Sequence, residues 1–221
     1  MKKRESYLNE NTIREWLRDL DGSPGRSPLP RLARPALVMI DCQRLFCDRK
    51  SPAFIPAWEE AGKRANILVE NFRKNRSKIV WTRHISSDSD PGRVIGHFGG
   101  RPIPKGSPLS EYSEGFGPIE GESEIIKSSY SAWNGTDLDT LISREEVVVV
   151  AGVTAHRCIL TTVSWAACME RIVVVAMDAI ASQNDDLHYS TLMVLANGHA
   201  HTATTAEIVN SMELSGSGVA P

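Results

Sequence analysis

Three uninterrupted apolar runs constrain the fold of this chain more than any other feature: Ala36–Ile40, Val147–Ala151 and Ile172–Met177. Each is rich in β-branched residues and too short to be a buried helix. A strand with one wet face alternates polar and apolar residues, whereas an unbroken run is the pattern of a strand covered on both faces, as in a parallel sheet. Lys78–Thr82 reads as a further strand, Ile125–Lys127 as a short one and His201–Thr204 as a last edge strand. Segments of helical spacing at 56–76, 157–170 and 185–198 lie between them. Strand and helix in alternation predict an α/β fold. It is a three-layer αβα sandwich with a mostly parallel, Rossmann-like sheet of about six strands.

At 221 residues the chain suits one domain with a substantial core. Residues 36–210 carry the alternating pattern. Residues 1–35 read as an N-terminal helix (5–20) and an irregular arm rich in Pro, Gly and Arg, and 211–221 as a flexible tail. Residues 83–123 are rich in Gly, Pro and Ser and lack any period, which predicts a substrate-covering loop. Thr136 is a candidate N-cap for a short helix that follows.

A net charge of −2 and the lack of a long basic tract argue against a nucleic-acid partner, and Lys2-Lys3-Arg4 reads as a solvated terminus. No window is apolar enough for a membrane span, and no apolar stretch follows the basic N-terminus as a secretory signal would require. Four cysteines in a chain of this size do not make a disulfide scaffold, so free thiols in a cytoplasmic protein are expected.

Chemistry concentrates where strands end. Asp41 follows the first strand, Lys127 ends the short third one, and Cys158 follows the run closing at Gly152. In a parallel sheet all three lie at the carboxyl edge, where α/β proteins bind ligands. Cys158 also stands near a helix start, whose dipole favours a thiolate. The alternatives are a buried structural cysteine, a helix-capping aspartate and a solvated lysine.

These stretches resemble the isochorismatase-like cysteine hydrolases, a superfamily that includes nicotinamidases and N-carbamoylsarcosine amidases. The first stretch is Leu37-Val-Met-Ile-Asp41-Cys-Gln43-Arg-Leu-Phe46; the second is Ile126-Lys127-Ser-Ser-Tyr-Ser-Ala-Trp133-Asn-Gly-Thr136-Asp-Leu138. The third is Gly152-Val-Thr-Ala-His-Arg-Cys158, followed by the strand reaching Asp178; Thr82-Arg83-His84 also fits. The resemblance covers roughly residues 35–210.

It implies a triad in which Cys158 is the nucleophile, Lys127 stabilises its thiolate and Asp41 shuttles the proton. It also implies a cis peptide between Val153 and Thr154, and an oxyanion hole from the backbone N–H groups of Thr154 and Cys158. The implied reaction cleaves an amide, carbamoyl or ureido C–N bond of a small molecule through a thioester. His84, Trp133, His156, Arg157 and Gln43 are candidate substrate contacts. The resemblance further implies a homodimer or homotetramer.

Two departures bear on the chemistry. Family members without the cysteine hydrolyse a vinyl ether by acid catalysis, and their Gly-Val-x-Ala-His turn resembles Gly152–His156 here. Asp41 as general acid is therefore the alternative reading, with a catalytically silent member as a third. The stretch after Asp48 has no histidine where nicotinamidases place a metal site, so no metal and no cofactor are expected. His188, His199 and His201 have no Cys or carboxylate at ligand spacing, and Gly96–Gly106 lacks the ending of a phosphate loop.

Overall fold

A computed structural model describes residues 6–216 other than 88, 90 and 145; the Lys2-Lys3-Arg4 cluster and residues 217–221 lie outside them. Six strands form one sheet: β1 (Ala36–Ile40), β2 (Ile79–His84), β3 (Ser123–Lys127), β4 (Val148–Val153), β5 (Val173–Ala181) and β6 (His201–Ala203). Their order is β3-β2-β1-β4-β5-β6 and every pairing is parallel. The direction of winding therefore reverses between β1 and β4.

The three runs supply the central strands, although Val147 and Ile172 fall just outside β4 and β5, half-buried and exposed respectively. Every residue of β1, β4 and β5 is buried. The edge strand β3 instead alternates, with Ile125 and Lys127 inside and Ile126 outside, so a period of two directs the lysine into the protein. β5 extends four residues beyond its expected end, and its register against β4 shifts between Val150 and Gly152.

The helices are α1 (Glu10–Asp19), α2 (Arg44–Cys47), α3 (Trp58–Lys74), α4 (Arg93–His97), α5 (Leu138–Leu141), α6 (Leu160–Cys168), α7 (Asp185–Ala196) and α8 (Thr205–Gly216). α3 and α8 pack together against β5, while α6 and α7 form a second packed pair. α3 buries Ala61, Ala65, Leu68, Val69 and Phe72, a stripe at helical spacing. Its first turn carries Glu59 and Glu60 and its last Arg73 and Lys74, the charges that suit a helix dipole.

Three details go beyond the sequence reading. The tail is helical through Gly216, because no breaker interrupts 205–215 and Met212 is buried. The N-terminal arm docks on the domain, burying Leu8, Ile13, Trp16, Leu20 and Leu32. Asp137 takes the N-cap position of α5; the Thr136 hydroxyl accepts from Leu138 N–H and donates to the Ala132 carbonyl.

Candidate active site

The carboxyl ends of β1 and β4 are neighbours, with Ile40 paired to Gly152. Gly152 has φ +116°, and a Cβ there would meet the Ile40 carbonyl oxygen at 2.1 Å. Only glycine lets β4 approach the residue before Asp41 this closely. Asp41 itself has φ +50°, a left-handed conformation that aspartate tolerates better than most residues. Thr82 on β2 holds it there: its hydroxyl accepts from Asp41 N–H (3.1 Å) and donates to Asp41 Oδ1 (2.7 Å).

Lys127 reaches the same point from β3. Its Nζ lies 2.7 Å from Asp41 Oδ2 and 3.5 Å from Cys158 Sγ, and donates to the Ser129 carbonyl at 3.1 Å. The Asp41 and Lys127 side chains are wholly buried. Burial opposes the ammonium, but Asp41 and Cys158 outweigh it and hold the Lys127 pKa above the ordinary lysine value.

Cys158 sits in a π-helical turn, Ala155–Ile159, ahead of α6. Ile159 N–H reaches back to the Thr154 carbonyl (3.2 Å), and the Val153–Thr154 peptide is cis. The thiol is not poised as a thiolate. Burial, with Asp41 adding to it and Lys127 opposing it, pushes Cys158 up to about 12. Desolvation overrides the lysine and the helix dipole on which the expected thiolate rested.

Cys158 opens on a cavity of about 530 Å³. Its walls include Leu45, Phe46, Ile95, Ile103, Leu109 and Tyr130, so residues of the 83–123 segment form much of the chamber. His84 and Thr154 also line it. Both are buried, yet His84 Nδ1 and Thr154 Oγ1 have no hydrogen-bond partner among the described residues. Burial and Lys127 lower the His84 pKa, which keeps the imidazole neutral at pH 7.

Of the five candidate substrate contacts, His84 and Arg157 reach the cavity and three do not. Gln43 is fully buried; its amide donates to the His84 and Ser110 carbonyls and accepts from His84 N–H. It braces β1 against β2 and the long loop. Trp133 lies under Arg171, whose guanidinium is 4.8 Å from the ring, and donates to the Thr162 carbonyl. His156 points to Ser182 Oγ (2.6 Å), and burial lowers its pKa to about 4. Thr82, Tyr130 and Arg101 were not singled out as site residues, although each lies in a stretch that the sequence marks: the end of the second strand, the stretch after Lys127 and the long loop.

The sequence matches the Isochorismatase domain family over residues 35–207. It is 30% identical over 194 residues to nicotinamidase 3 of Arabidopsis thaliana, covering 85% of this chain and 92% of that protein. It is 24% identical over 139 residues to the N-carbamoylsarcosine amidase of an Arthrobacter species, covering 59% and 53% of the two chains. A crystal structure of a cysteine hydrolase from Pseudomonas syringae superposes with a TM-score of 0.78 at 23% identity, covering 86% of this chain and 97% of the other.

Proposed function

Because the chain belongs to the isochorismatase family of hydrolases, we propose that it cleaves an amide-like C–N bond of a small molecule through a thioester on Cys158. One observation carries the reading: Lys127 Nζ bridges Asp41 Oδ2 and Cys158 Sγ, and Cys158 lines a cavity of about 530 Å³.

The high thiol pKa shapes the mechanism. Sγ attacks the substrate carbonyl as its proton passes to the Asp41 carboxylate, so no free thiolate needs to accumulate. The carbonyl oxygen takes up the electron pair and is held by the backbone N–H groups of Thr154 and Cys158. Collapse breaks the C–N bond, and the leaving nitrogen takes the proton from Asp41. Asp41 then removes a proton from water, the resulting hydroxide attacks the thioester, and the departing sulfur recovers that proton. Lys127 lies against both Asp41 and Cys158 and offsets negative charge on sulfur.

The test incubates the protein with a panel of primary amides and ureido compounds, quenches in acid and measures intact mass. An acyl adduct that maps to Cys158, with release of ammonia or amine, is the expected result. Undiminished turnover in Cys158→Ala would overturn the reading and transfer the chemistry to Asp41 acting as an acid.

A further inference from the structure

The last residues of β5 bring the chain alongside the nucleophile turn. Past the register shift Val153 on β4 pairs with Ala181, so Thr154 and Ser182 follow the ends of neighbouring strands. Ser182 is fully buried. Its Oγ lies 2.6 Å from His156 Nδ1, and its N–H donates to the Tyr7 hydroxyl at 3.1 Å. That hydroxyl lies 2.9 Å from His188 Nδ1, and His188 Nε2 lies 3.1 Å from the Met177 carbonyl. One chain of hydrogen bonds therefore runs from β5 through α7 and the N-terminal arm to Ser182 and His156. It stops two residues before Cys158.

Little else that is polar ties down the turn. A π-helical turn is wider than an α-helical one and recurs where a side chain must be placed for function. Within this one, the Arg157 and Ile159 N–H groups both reach the Thr154 carbonyl at 3.2 Å. Ala155 and Ile159 are apolar, and Arg157 is exposed. Among the described residues of the turn, only His156 and Cys158 have a side-chain hydrogen bond to another part of the fold. The His156 ring turns away from the cavity to make its bond, and neither Ser182 nor Tyr7 lines that cavity.

We propose that Ser182 and Tyr7 are positioning residues for Cys158: acting through His156 they fix the nucleophile turn, and the N-terminal arm thereby governs the chemistry of a site it does not touch. This rests on Cys158 as the nucleophile in the reading above. The Tyr7 hydroxyl satisfies a buried backbone donor just past the last pairing of β5, and so fixes the direction in which Ser182 leaves the sheet. Ser182 Oγ transmits that placement to His156. Attack on a carbonyl is sensitive to such placement, since a displacement of about 1 Å costs about 100-fold in rate.

The test combines hydrogen exchange by mass spectrometry, in peptides covering residues 154–160, with kcat and KM for an amide that acylates Cys158. Tyr7→Phe and Ser182→Ala each remove one oxygen; the Phe ring keeps the contacts of Tyr7 with Trp16 and His188. Both should speed exchange of the Arg157 and Ile159 N–H groups about tenfold, the worth of one hydrogen bond. Both should lower kcat by about tenfold while KM stays within about twofold. His156→Asn keeps a hydrogen-bonding atom near the place of Nδ1 and should retain most of both properties, whereas His156→Leu should lose both. Ile13→Val trims a buried side chain of the arm without touching the hydrogen-bond chain, and should leave the turn and kcat as they are. Unchanged exchange at the turn in Tyr7→Phe and Ser182→Ala would overturn the proposal. So would faster exchange with an unchanged kcat, or equal losses in Ile13→Val, which would trace the effect to stability alone. Faster exchange in the variants of a protein that cleaves no amide leaves the anchoring of the turn standing and removes the amidase reading instead.

Discussion

Cys158 lies beside Lys127 and Asp41 in a site where burial sets the protonation of the thiol. With the thiol held up at about 12, the thiolate fraction is small at neutral pH and rises with pH. Iodoacetamide labelling of Cys158 should therefore climb about tenfold per pH unit from 7 to 10 without levelling. A plateau below pH 9, read by peptide mass mapping, would show a lower pKa. The Asp41–Lys127 pair makes a second prediction. Removing one partner strands the other as a buried charge, so Asp41→Asn or Lys127→Met should each cost about 3–5 kcal/mol of stability. The double substitution should recover part of that loss in urea titrations, whereas additive losses would mean that the pair is not energetically coupled. Thr82 loses its two bonds to Asp41 in Thr82→Val, which should lower kcat more than it raises KM.

Among the elements, the junction of β1 and β4 is least tolerant. In Gly152→Ala the methyl group would collide with Ile40 backbone on the neighbouring strand, in a conformation that alanine resists. The strands cannot separate without displacing Asp41 on one and the nucleophile turn on the other. A loss of about 2–4 kcal/mol is expected, together with loss of activity. Gly22→Ala is the contrast. Its φ is also positive, but a Cβ there meets nothing within 4 Å, so its cost should be smaller and activity should survive. Equal effects on activity from the two substitutions would remove the junction from the account.

On the scale of the whole molecule, the N-terminal arm is part of the domain's stability. Trp16 packs 4.5 Å from the His188 ring, and Tyr7 joins His188 to Ser182. His188 Nε2 lies 3.1 Å from the Met177 carbonyl, which makes that nitrogen the donor. Nδ1 is then an acceptor, so Tyr7 donates to it and receives the Ser182 N–H. Burial lowers His188 to about 3, against about 6.5 for an unfolded imidazole. The unfolded chain takes up the proton first, so the contribution of neutral His188 is complete above about pH 6.5 and drains away as the pH falls toward 3. Urea midpoints should fall between pH 7.5 and 5, and fall less in His188→Asn; parallel losses would exclude His188 as the titrating group. Trp16→Ala should cost about 3–5 kcal/mol at pH 7.5, as expected for an aromatic side chain in a core.

The amino-acid sequence by itself determined the layers, the parallel sheet and the strand ends that carry Asp41, Lys127 and Cys158. Those are properties of consecutive residues: an unbroken apolar run, a period of two, a glycine where a strand stops. Only the tertiary structure decided what surrounds those positions. Thr82 grips Asp41 from 41 residues away, and Gln43 is consumed by the carbonyls of His84 and Ser110. Arg101 reaches the cavity from a loop with no period to read. The protonation of Cys158 belongs to the same class, because desolvation sums over every atom that replaces water around the sulfur, and those atoms are gathered from β1, β3 and β4 only when the chain has folded.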